Sequence, residues 1–146
     1  MTTSGVRRVM LSRRRSGRAA IALGVIGLAL LAPLVVHAIQ SSLAGAGRLA
    51  TWQVVASALG AVLGILGGAT LPRTARGAIL VAAGGVIPIL FLAPLVASSF
   101  ASLGSWESLA FVAVHFWAFG LLYVGVSAAR GLRLEAREKP LHWHSP

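Results

Sequence analysis

The sequence predicts an all-α membrane protein with four transmembrane helices and both termini on the same side. Three observations carry this expectation. Of its 146 residues, 57% are hydrophobic and 11% charged, against roughly a quarter charged in soluble domains. Four runs, 19–39, 51–71, 78–97 and 109–129, contain no Asp, Glu, Lys or Arg. The basic residues flank these runs unevenly, as membrane orientation demands.

Each run suits one span. A helix rises 1.5 Å per residue, so about 20 apolar residues cross roughly 30 Å of hydrocarbon. Backbone groups in lipid must bond within the segment, which makes helix the expected form. Strand-period alternation is absent, which sets aside a β-barrel.

The first span follows a basic segment, 1–18, that carries Arg7, Arg8, Arg13, Arg14, Arg15 and Arg18. This segment, an apolar core and Val36-His37-Ala38 compete as a cleavable signal peptide. Ser12-Arg13-Arg14-Arg15 also hints at a twin-arginine signal, although the apolar residues expected next are missing. The apolar run is longer than the usual 7–15 residues of a signal core, so retention as a true helix is expected. The arginine cluster would attract anionic lipid at about 1 kcal/mol per charge, and its main expected role is orientation.

The second span carries Ala56, Gly60, Gly64 and Gly68, a ridge with four-residue spacing. Small residues let helices approach closely where lipid offers no hydrophobic drive. The ridge is expected to pack the bundle internally, with a homo-oligomer interface as the alternative. The third span has a looser patch of Ala82, Ala83, Gly84 and Gly85. Pro33, Pro88 and Pro94 lie inside spans and remove the donors for the carbonyls of Ala29, Gly84 and Leu90. Those carbonyls need a neighbouring helix, a hydroxyl or water, and kinks there would open an outer cavity. The fourth span is rich in aromatics and leads into a tail, 130–146.

Counting Lys and Arg orients the chain. The N-terminal segment has six, the tail has Arg130, Arg133, Arg137 and Lys139, and the second loop has Arg73 and Arg76. The first loop has Arg48 alone, and the third has none. Termini and second loop in the cytoplasm put twelve positive charges inside and one outside. Twelve Arg against one Lys, with abundant Ala and Gly, suggests GC-rich coding and a bacterial cytoplasmic membrane. A net charge of +10 raises nucleic-acid binding, but its placement at the ends of apolar runs sets that partner aside.

Leu31-Ala32-Pro33-Leu34-Val35 recurs as Leu92-Ala93-Pro94-Leu95-Val96. After a one-residue slip, Leu49, Ala50, Val54, Ala58 and Gly60 match Leu109, Ala110, Val114, Ala118 and Gly120. A tandem repeat of two helical hairpins is therefore expected, related by an axis along the membrane normal.

Chemistry-bearing residues are few. There is no cysteine, which excludes thiolate catalysis and Cys-ligated metal. His37, Arg48, Gln53, Glu107 and His115 form a polar set on the outer side. An ionisable residue inside a span marks a candidate site. His37 reads first as interfacial, and His115, among Phe111, Phe116, Trp117 and Phe119, as a structural hydrogen-bonding residue facing the bundle. Haem ligation by His37 and His115 is the sharper alternative. Their depths differ by about four residues from the span ends, roughly 6 Å. His142-Trp143-His144 lacks a third ligand for a tight metal site. Trp52 and Trp106 read as interfacial anchors.

No family is recognised from these residues. Small multidrug transporters depend on an acidic residue in the first helix, and vitamin K epoxide reductase-like proteins on cysteines; this chain has neither. The expectation is a non-catalytic accessory subunit or interaction partner in a membrane complex, without a cofactor. A small oligomeric transporter or channel is the second expectation, and a haem-binding electron-transfer protein the third.

Overall fold

The computed structural model describes residues 3–43, 51–99 and 106–138. They form four α-helices: α1 (Thr3–Leu43), α2 (Thr51–Thr70), α3 (Arg76–Ser99) and α4 (Trp106–Glu138). Three are long and apolar enough to cross a membrane, through Leu11–Gln40, Trp52–Thr70 and Val112–Arg133; α3 contributes a shorter apolar stretch, Arg76–Phe91.

The helices form a closed ring in chain order, with α4 returning to α1. Close contacts fix each direction. Gly17 lies on Gly68 and Gly24 on Ala61, so α1 and α2 are antiparallel. Gly60 meets Gly84 and Gly67 meets Gly77, so α2 and α3 are antiparallel as well. Gly85 meets Ala118 and Gly125 meets Ala82, which sets α4 against α3. Gly27 lies under Trp117 and Leu23 beside Gly120, which closes α4 on α1. The beginnings of α1 and α3 therefore share one end of the bundle with the finishes of α2 and α4.

That shared end is the basic one. It holds Arg13, Arg14, Arg15 and Arg18 on α1, Arg73 and Arg76 at the α2–α3 turn, and Arg130 and Arg133 on α4. The segments read as flanks of the first and fourth spans continue them as helix. Arginine is a good helix former, and neither 3–18 nor 130–138 holds a proline, so nothing stops the helix at the edge of the apolar run.

The α2–α3 turn is tight. Leu71 donates to the Gly67 carbonyl at 2.8 Å, and Arg73 and Thr74 both donate to that of Thr70 at 2.9 Å. Pro72 follows directly, where a helix cannot continue. A Cβ on Gly77 would lie 2.5 Å from the Leu71 backbone, so the chain can double back only over glycine.

The core draws on all four helices: Leu31 and Leu34 of α1, Val54 and Ala61 of α2, Val81 of α3, and Val114, Trp117 and Leu121 of α4. Outside it, large apolar side chains point away from the bundle on every helix, among them Ile26, Leu59, Ile79, Leu90 and Phe116. In water such a surface would drive aggregation; against lipid it is the expected exterior.

The α1–α2 and α3–α4 hairpins share a contact pattern. A Cβ on Gly24 would meet the Ala61 carbonyl and Ile65 amide, and one on Gly85 the Ala118 carbonyl and Leu122 amide. Gly24 and Gly85 are 61 residues apart, the spacing of the LAPLV match, whereas their partners are 57 apart. The sequence match downstream runs at 60, so the second helix of the later hairpin sits about one turn away from the register that match implies.

Candidate functional site

The small-residue ridge of α2 lies inside the bundle. Gly60, Gly64 and Gly68 are buried and Ala56 half-buried. A Cβ on Gly60 would stand 2.6 Å from the Gly84 carbonyl and 2.8 Å from Pro88, and one on Gly68 would stand 2.6 Å from the Gly17 carbonyl. Gly64 faces the Leu121 methyls, 3.0 Å from its Cβ position. The ridge thus meets α1, α3 and α4 of its own chain.

Gly84 is the carbonyl that Pro88 deprives of its helical donor. Pro88 is fully buried, and the group that approaches this carbonyl is the Gly60 Cα. A Cβ at residue 60 would stand 2.6 Å from that carbonyl, so only glycine permits the approach. One span's proline and the next span's glycine form a single packing unit.

A second unit joins α2 to α3 nearer the opposite end. Gln53 Nε2 donates to the Phe91 carbonyl at 3.2 Å. Phe91 is one residue beyond Leu90, whose carbonyl Pro94 leaves without a donor. Ser57, fully buried, donates back to the Gln53 carbonyl at 2.8 Å, satisfying its hydroxyl within its own helix. Trp52 packs edge-on against Phe91 with ring centroids 5.3 Å apart.

A third joins α4 to α1. The Trp117 indole N–H donates to the Leu23 carbonyl, and its ring occupies the space a Cβ on Gly27 would need. Trp117 is 5% exposed, so its polar edge is matched by a neighbouring helix instead of headgroups. Residue types alone did not separate Trp117 from Phe116 and Phe119, which point outward.

Of the polar outer set, Gln53 is tied to α3 through the Phe91 carbonyl. His37 and His115 are half-buried. Arg48 lies outside the described residues, as do the side chains of Glu107 and Trp106 and the tail motif His142-Trp143-His144. The α1–α4 contacts give the depth of the two histidines. With Gly27 opposite Trp117 and Leu23 opposite Gly120, His115 is level with about residue 28 or 29 of α1. His37 lies about eight residues further along, roughly 12 Å, twice the separation inferred from the span ends. Among the described residues no group of three or more His, Cys, Asp or Glu is placed to hold a metal ion.

Two surface features escaped the sequence reading. Phe116, Phe119 and Tyr123, spaced three and four apart on α4, form one aromatic face, exposed by 75%, 54% and 74%. At the basic end, a cavity of about 140 Å³ opens between α1 and α4 over Leu71. Both needed the orientation of α4, because a helix apolar all round has no period from which to read its inner face.

No protein family, curated protein or solved structure matches the chain.

Proposed function

We propose that the chain is a four-span protein of a bacterial cytoplasmic membrane, with both termini inside, acting as a non-catalytic accessory subunit of a membrane complex. In this reading α3 crosses the membrane with the other three helices, and the two hairpins are tandem copies. The basic end faces the cytoplasm, as the positive-inside rule requires. The shared Gly24 and Gly85 contact pattern supports the duplication.

The single observation that carries the accessory role is the outward aromatic face of α4. Tyr123 lies within the apolar run, some six residues, or roughly 9 Å, from its basic end. Side chains on a helix lean toward its N-terminus, which on α4 carries the phenol toward the bilayer centre and away from headgroups. A hydroxyl left without a partner in apolar surroundings costs about 1–3 kcal/mol on mutational scales. A partner helix offering a carbonyl or hydroxyl removes that cost, and Phe116 and Phe119 frame the acceptor with apolar area.

Affinity purification from native membranes in mild detergent tests this. A second membrane protein should co-purify, and Phe116→Ala with Tyr123→Phe should lower its recovery about tenfold while thermal stability stays unchanged. A lone monodisperse monomer would overturn the reading. Recovery of the chain only as its own dimer would replace the accessory role with self-association.

A further inference from the structure

The cavity at the basic end is lined by Ser12, Arg13 and Ser16 of α1, by Leu71, and by Ser127 and Gly131 of α4, among others. It opens where α1 and α4 run past the end of α2, at the edge of the charge-free runs that begin at Ala19 and end at Ala129. In a bilayer crossed by those runs, this edge falls near the phosphates. Leu71 is 1% exposed and forms an apolar floor, while hydroxyls and a half-buried guanidinium form the walls. Gly131 leaves the mouth open, since a Cβ there would meet nothing within 4 Å.

The surroundings select for anions. Arg14, Arg15, Arg18, Arg73, Arg76, Arg130 and Arg133 are all exposed at this end. The chain has only three acidic residues: Glu107 is at the other end of α4, and Glu135 and Glu138, which follow the cavity on α4, are outnumbered by these seven arginines. A guanidinium offers a planar fork of donors suited to phosphate oxygens, and serine hydroxyls supply further donors. Basic pockets between membrane helices on such a face take phospholipid headgroups.

From this we infer that the Arg13 cavity is a site for the phosphate of an anionic membrane lipid, whose acyl chains would lie along the exposed apolar side chains of the bundle. It goes beyond the accessory role and rests only on the chain being embedded in a membrane.

Native mass spectrometry of the detergent-purified protein, supplied with phosphatidylglycerol or phosphatidylcholine, tests the site. The protein should retain one phosphatidylglycerol under activation that strips phosphatidylcholine. Arg13→Gln should weaken retention about tenfold, whereas Arg14→Gln, which removes the same charge from the exposed neighbour, should change it less than about twofold. Gly131→Leu should block retention by filling the mouth while leaving the melting temperature unchanged, because its Cβ meets open space. Equal losses for Arg13→Gln and Arg14→Gln would mean diffuse attraction and would overturn the site, as would full retention by Gly131→Leu. Displacement by millimolar inorganic phosphate would reassign the cavity to the free anion. Membrane insertion and partner recovery, measured on the same variants, report separately on the function proposed above.

Discussion

α2 and α4 cross the same bundle in the same direction, yet they use their surfaces in opposite ways. α2 turns Gly60, Gly64 and Gly68 onto three different neighbours, so its small face lies within its own chain. α4 buries Val114, Trp117, Ala118 and Leu121 and leaves Phe116, Phe119 and Tyr123 outside. The apolar stretches of the two helices are alike in hydropathy, which does not distinguish them. What separates them is side-chain size. In lipid, small residues bring backbones together and shed the least area, whereas aromatics either fill a matching gap, as Trp117 does over Gly27, or stand away from the bundle. α2 keeps its small face inside the fold, and α4 turns an aromatic face outward.

The largest effect should come from the α2 side of this contrast. Gly60→Ile sets a branched side chain against the Gly84 carbonyl and the Pro88 ring, where a Cβ alone would stand 2.6 Å and 2.8 Å away. Backbone and a buried proline cannot yield as a flexible side chain can, so the cost should reach about 3 kcal/mol or more. Detergent-solubilised variant should aggregate on heating well below the wild type in a light-scattering melt. An unchanged melt would mean that α2 and α3 do not meet through Gly60.

Trp117→Ala probes the one aromatic of α4 that behaves as α2 residues do. It removes the ring over Gly27 and the hydrogen bond to the Leu23 carbonyl. Large-to-small changes at buried Trp cost about 3–5 kcal/mol. The lower end is expected here, because lipid is as apolar as the lost neighbour and the Leu23 carbonyl keeps its bond within α1. Phe116→Ala, one residue away but exposed, should barely move the same melt. If the two substitutions proved equal, the inner and outer faces of α4 would have to be exchanged.

Much of the architecture was legible in the sequence because it depends on residue types in runs. Four charge-free stretches became four helices, and the bundle brings the flanking arginines to one end. The α2 ridge was legible as spacing, since glycines four apart share one face of any helix. Its three partners were not, because Gly17, Gly84 and Leu121 are brought to it only by the ring order of the helices. The helical course of residues 3–18 went unread because charge marks a membrane boundary without marking a helix end. The polar outer set was legible residue by residue and illegible as a site. His37 and His115 looked about four residues apart in depth when measured from span ends. The α1–α4 contacts double that distance, because they set the start of the fourth apolar run level with about residue 34 or 35 of α1 and not with the end of the first run at 39.

The smallest effect tests whether the second α2–α3 link belongs with the glycine packing or only decorates it. Gln53→Leu keeps the volume of the side chain and removes the bond to the Phe91 carbonyl. Interhelical hydrogen bonds in membrane proteins average about 0.6 kcal/mol and reach about 1.7. Gln53 should lie toward the upper part of that range, about 1 kcal/mol, because the carbonyl beside it has lost its helical donor to Pro94. The dependence on proline can be isolated by a double-mutant cycle. Pro94→Ala returns a backbone N–H to Leu90 and relaxes the local demand for a donor from α2, so Gln53→Leu should cost less in that background. Equal costs in the two backgrounds would make Gln53 an ordinary interhelical contact. A smaller cost in the Pro94→Ala background would make it part of the same device as Gly60 and Pro88, in which each proline of α3 is answered by a residue of α2.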